Sequence, residues 1–143
     1  MPALIKRISS LRNEGPTIEV IIFPPAPIIN AATAAGQIIP QVKGIGLIDT
    51  GASMSAIDAN IATNLQLISR DYVPVLTPSG ISNHYTYDIA VMLPAQLGLK
   101  MFFIEVTGAD LSLQPYDFLI GRDILEQCTL IFNGWDNSFQ LHI

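Results

Sequence analysis

Proline and glycine cut the apolar part of this chain into runs of strand length, and that punctuation most constrains what it can fold into. Ten prolines and ten glycines are spread through 143 residues. Thr17–Phe23 (Thr-Ile-Glu-Val-Ile-Ile-Phe) is largely β-branched and stops at Pro24-Pro25-Ala-Pro27, because proline cannot donate to a strand ladder. Comparable runs cover Val42–Ile48, Tyr72–Leu76, Tyr85–Leu93, Met101–Val106, Asp117–Ile120, Thr129–Phe132 and Phe139–Ile143. Thr77-Pro78-Ser79-Gly80 has the residue types of a tight turn, so Tyr72–Leu93 reads as a β-hairpin. The Ala/Gly stretch at 31–36 reads as a hairpin loop or local excursion, and Gly108–Tyr116 as a loop. Ser55–Leu65 allows a short helix or a strand-turn. Arg122–Gln127 reads as a brief helix, with Asp123 as its cap and Glu126 completing a capping box. The expected class is all-β, a barrel or sandwich with one or two short helices. Residues 1–16 read as a polar N-terminal leader and 17–143 as a single domain.

Charge removes several function classes. The net charge is −5, and the seven Lys and Arg residues are scattered, so a row of phosphates cannot be neutralised and nucleic-acid binding is not expected. The one basic cluster, Lys6, Arg7 and Arg12, reads as part of a solvated leader. Cys128 is the only cysteine, which rules out an intrachain disulfide, and its apolar surroundings suit a small buried hydrophobe. One cysteine with two distant histidines, His84 and His142, makes no zinc or haem constellation. Prolines, Asn30 and Gly36 interrupt the apolar stretch 21–40, which argues against a membrane helix. The N-terminus lacks the apolar run of a signal peptide, and the expected location is cytoplasmic unless an anchor lies outside this sequence. Half of the residues are apolar and only 13% are charged. Such an excess often ends in a subunit interface.

Two segments carry chemistry. Asp49 directly follows the apolar strand Gly44-Ile-Gly-Leu-Ile48 and precedes Thr50-Gly51-Ala52-Ser53. A carboxylate at the end of a buried strand is costly unless it is hydrogen-bonded or used. Taken alone it is either a catalyst or an Asx-turn former. The second segment is Phe118-Leu-Ile-Gly121-Arg122-Asp123-Ile-Leu125, by itself a buried strand, a glycine turn and a capped helix. Gly51-Ala-Ser53-Met-Ser55 lacks the final glycine of a nucleophile elbow, so serine-hydrolase chemistry is a poor fit.

In this order, Leu47-Ile-Asp-Thr-Gly-Ala-Ser53 followed by Leu119-Ile-Gly-Arg-Asp-Ile-Leu125 resembles the retropepsin-like aspartic proteases, over about residues 17–143. The resemblance implies a closed acid-protease barrel with a β-hairpin flap, and an endopeptidase that activates water between two aspartates. It implies that Asp49 is the catalytic carboxylate and that Thr50, Gly51, Ala52 and Ser53 form its loop. Thr50 would tie the two loops together across a dimer, and Gly121 and Arg122 would buttress the loop. Thr77, Pro78, Ser79, Gly80 and Ile81 would form the flap tip, with Leu119, Ile120 and Met54 as candidates for lining side-chain pockets. There is no second Asp-Thr-Gly, so a homodimer acting on an extended peptide is the expected assembly, with no metal or cofactor. The alternative is a retropepsin fold kept as a non-catalytic dimerisation or peptide-binding module. Ser53 stands where viral relatives often carry an acid that pairs with the signature arginine, so Arg122 needs another partner.

Overall fold

The computed structural model describes residues 2–143 and is mostly β. Strand β2 (Thr17–Phe23) runs antiparallel to β3 (Val42–Ile48), with Thr17 opposite Leu47 and Ile22 opposite Val42. β3 pairs in parallel with β8 (Phe118–Ile120), which is antiparallel to β4 (Ala56–Asp58). β4 runs parallel to β7 (Met101–Ala109), and β7 is antiparallel to the long β6 (Gly80–Met92). The end of β6 returns to β2, with Ile21 opposite Met92 and Phe23 opposite Ala90, so the pairings make a circuit. β5 (Asp71–Thr77) lies outside the circuit as the second arm of a hairpin with β6.

Alternation explains the core. In β2 the side chains of Ile18, Val20 and Ile22 point inward and are buried, while Glu19 points out. They meet Ile57, Ile89, Val91, Val106, Phe118 and Ile120 in one cluster. Segments on the parallel pairings are apolar almost throughout, as expected of strands covered on both faces.

Both readings of Ser55–Leu65 are realised. β4 passes directly into helix α3 (Ala59–Asn64), whose N-cap Asp58 accepts from Asn60 N. The Ala/Gly stretch departs from expectation, because Ala26–Ala34 forms a helix, α2, rather than a loop. Prolines in a first turn cost little, since the N–H they lack has no partner there, and the following alanines favour helix. No helix among the described residues is long and apolar enough to cross a membrane.

The N-terminal segment also departs from expectation. Ala3–Arg7 is a strand, β1, paired with β10 (Ser138–His142), and β10 pairs with β9 (Thr129–Asn133) in a separate three-stranded sheet. A four-residue helix, α1 (Leu11–Glu14), follows β1. Ser10 accepts from Asn13 N at its start, and Ser9 Oγ and Ser10 N donate to Glu14, holding that carboxyl below its usual range. Leu4 and Leu11 are 8% and 3% exposed and join the core beside Phe139 and Leu141. A polar segment hides this role because few apolar residues suffice. Lys6 contributes by donating to the Thr17 carbonyl at 2.8 Å, and Asn137 accepts from Leu11 N at 3.0 Å. Leu4→Ala should therefore lower stability by about 2–3 kcal/mol in urea denaturation, whereas a solvated leader would lose nothing.

Candidate active site

The parallel register of β3 and β8 sets Ile48 beside Ile120, so both strands end together. The next residues are Asp49 and Gly121, and the two sequence segments become neighbours there. Asp49 N donates to Ile120 O at 2.9 Å. Within the loop, Gly51 N donates to Asp49 Oδ1 at 2.9 Å and Ala52 N to Asp49 O at 3.3 Å. Asp49 is therefore an Asx-turn former as well as a candidate catalyst. Its other carboxylate oxygen, Oδ2, has no hydrogen-bond partner among the described residues, and the side chain is half-buried.

The second segment holds this loop from behind. Arg122 N donates to Ala52 O at 2.8 Å, and Arg122 Nη1 to Thr50 O at 2.7 Å. With no acid at position 53, the arginine thus takes a backbone carbonyl as its partner. Gly121 packs so tightly that a Cβ there would lie 2.9 Å from Met54 C and Ser55 N and 3.0 Å from Ala52 O. These are backbone atoms and cannot swing away. The loop's own side chains face outward, since Thr50 and Ser53 are exposed and Ala52 is half-buried. The Thr50 hydroxyl makes no hydrogen bond among the described residues.

Asp123 does not cap the helix as expected. Helix α4 (Arg122–Leu125) has Gly121 as its N-cap, two residues before Asp123. Asp123 instead accepts from Ser55 N at 2.9 Å, Ser55 Oγ at 2.6 Å and Ile124 N at 3.0 Å. Ser55 was missed as a site residue. Its only sequence signal is a small hydroxyl entering an apolar strand, where a buried polar group needs a partner.

The hairpin tip forms where expected. Thr77 pairs with Gly80 across Pro78-Ser79, and Thr77 Oγ1 donates to Gly80 O at 2.8 Å, with Gly80 at φ +122°. Ile81 is exposed beside it. At its base, His84 bridges Gly108 O through Nδ1 and Ser82 Oγ through Nε2, each at 2.7 Å. Tyr72 and Tyr85 pair across the strands with ring centroids 4.6 Å apart. Leu119 and Met54 are half-buried. Ile120 is not a groove-lining residue: it is fully buried, where its Cδ1 packs against Gly46 in the core.

Cys128 lies apart from the loop, its thiol pushed above the usual range by burial and its Sγ donating to Ile124 O. A cavity of about 630 Å³ lies along β2 and β3 and is lined by Glu19, Ile21, Lys43, Met92 and Asp117, with no residue of the Asp49 loop. In a single chain that loop is an open surface.

No protein-family model and no curated protein matches the chain. Among solved structures it is similar to a retropepsin-like aspartic protease from Rickettsia conorii, with 20% identity over 88% of this chain and 91% of that one, at a TM-score of 0.48. Residue roles therefore rest on the chain's own geometry. That geometry makes a specific demand at Gly121. Gly121→Ala should cost about 1–3 kcal/mol by overpacking the Ala52–Ser55 backbone. Gly134→Ala, whose Cβ would meet only Phe132 Cε1 at 3.7 Å, should stay within about 0.5 kcal/mol. Thermal denaturation of the two variants checks both.

Proposed function

We propose that this chain is one subunit of a homodimeric aspartic endopeptidase of the retropepsin type, a closed barrel whose Asp49 supplies half of a catalytic dyad. One observation carries the reading. Asp49 sits on a loop pinned from behind by Gly121 and Arg122, with Oδ1 held by Gly51 N and Oδ2 free of any partner in the described chain. A carboxylate held on one side and open on the other suits a group that must meet a reactant.

Peptide hydrolysis needs a base to deprotonate water and an acid to protonate the scissile carbonyl. Two carboxylates facing each other do not both ionise cheaply, so at mildly acidic pH the pair keeps one proton, as in aspartic proteases generally. The ionised member takes a proton from water, the neutral one donates to the carbonyl oxygen, and a tetrahedral diol forms. Proton transfer to the amide nitrogen then releases the amine. A second copy of the chain supplies the second Asp49, and Thr50 is free to bond across the interface. The β5–β6 hairpin, with Thr77–Ile81 at its tip, would cover an extended peptide and bond its backbone like a strand.

The terminal sheet supports an interface between copies. Among the described residues the outer edge of β9 has no strand partner, and Ile131, Phe132 and the 99%-exposed Trp135 lie on or beside it. An exposed apolar edge is a template for pairing with another chain.

Wild type and Asp49→Asn incubated with a peptide library at pH 4–7 test the chemistry. Wild type should cleave, with activity falling by about 10²–10⁴-fold in the variant. Equal cleavage by both, or none by either while both bind peptide, would overturn the reading in favour of a binding module. Phe132→Glu should weaken self-association at least about 10-fold in sedimentation and lose activity in parallel. A wild-type chain that stays monomeric at every concentration would leave one carboxylate and exclude the dyad.

A further inference from the structure

Ser55 is the most deeply buried polar side chain among the described residues, with no exposed surface. It closes the loop that Asp49 opens. Its hydroxyl donates to Asp123 Oδ1 at 2.6 Å and accepts from Gly121 N at 2.9 Å, while its own N–H donates to Asp123 Oδ2 at 2.9 Å. Asp123 thus grips Ser55 by backbone and side chain together. Ser55 O in turn accepts from Thr107 N at 3.1 Å, fixing this end of the loop to β7.

The start of the loop is anchored by Asp49 N on Ile120 O, and its middle by Arg122 on Thr50 O and Ala52 O. Apart from Thr107, the groups that hold the loop belong to the four consecutive residues 120–123. Among the described residues the Asp49 carboxylate is oriented by Gly51 N alone, so its direction follows wherever the span between the two anchored ends puts Gly51. We infer that Ser55 and Asp123 are positioning residues for Asp49, fixing the end of its loop so that the carboxylate keeps a reactive orientation. This rests on the proposed role of Asp49. The hairpin proposed to hold the peptide backbone lies on β5 and β6, so the pair acts on turnover more than on affinity.

The full-length dimer tests this through Ser55→Ala, Ser55→Thr, which restores a hydroxyl, and Asp123→Asn. Two readouts are taken: kcat and KM on a peptide the wild type cleaves, and amide hydrogen exchange of Thr50–Ala52 against that of Val91 and Val106. Ser55→Ala should lower kcat about 10- to 100-fold, since a displacement of about 1 Å is worth that much. KM should stay within about threefold. Loop amides should exchange faster while core amides do not, and Ser55→Thr should recover most of the rate. Asp123→Asn should show the same split, and it carries the test if Ser55→Ala does not fold. Wild-type kcat with unchanged loop exchange in Ser55→Ala, or exchange accelerated equally in the core, would overturn the proposal. If wild type and Asp49→Asn prove equally active, the dyad fails, and the exchange data still decide whether the pair fixes the loop.

Discussion

The site depends on one backbone pairing, the short parallel ladder between β3 and β8. Its three register pairs place residues from distant parts of the chain side by side, Thr50 and Arg122 being 72 positions apart. Parallel pairing demands a long crossover, whose ordering entropy must be offset by contacts made elsewhere. Here the crossover holds β4, α3, the β5–β6 hairpin and β7, which bury Ile57, Ile89, Val91 and Val106. The ladder also needs close approach. A Cβ on Gly46 would lie 3.0 Å from both Val20 Cγ1 and Ile120 Cδ1, so glycine lets the bulky side chains of β2 and β8 fill the space over β3. The apolar core and the loop geometry are thus one construction, and a slip of one residue in β8 would move Gly121 off the loop it supports.

Much of this was legible as pattern. Runs of β-branched residues bounded by proline and glycine locate the strands that carry the site, and the resemblance of the two segments, taken in order, to the retropepsin-like proteases implies that Gly121 and Arg122 support the Asp49 loop. Three features were not legible, for different physical reasons. Helix α2 begins among prolines, which mark breaks in a strand but are tolerated in a first helical turn. Strand β1 is held by pairing with β10 at the other end of the chain and by two buried leucines around it, so no local periodicity reveals it. Asp123 has the spacing of a helix cap and a nearby glutamate, yet the stronger demand came from a buried serine far away in sequence. Local propensity identifies what a side chain can do, and only the fold decides which partner is in reach.

The electrostatic design around the loop follows from that partner choice. Asp123 is satisfied by three protein donors from Ser55 and Ile124 and pairs with no cation among the described residues, while Arg122 bonds the Thr50 carbonyl. Charge-assisted bonds to neutral groups are stronger than bonds between neutral groups, and they need no second charge to be desolvated. The loop is therefore fixed by carboxylate-to-hydroxyl, carboxylate-to-amide and guanidinium-to-carbonyl bonds, with no ion pair among them. The two ion pairs of the described residues, Arg7 with Asp136 and Arg70 with Asp88, lie at the surface away from the loop.

This arrangement bears on how a single chain tolerates a carboxylate at the end of a core strand. A lone carboxylate buried in an apolar interior would be strongly destabilising. Asp49 avoids that in the single chain because it is only half-buried and one oxygen already accepts from Gly51 N. Under the proposed function its desolvation is deferred to assembly, when a second copy covers the loop and the shared proton of the dyad removes one of the two charges. Self-association is then opposed by carboxylate desolvation and favoured by apolar burial, and the exposed residues on and beside β9 are a source of that burial. A second unshared charge at the covered loop would strengthen the opposition. Assembly and chemistry would then be coupled, because under the proposed function the surface that buries the loop is also the one that brings two copies of Asp49 together.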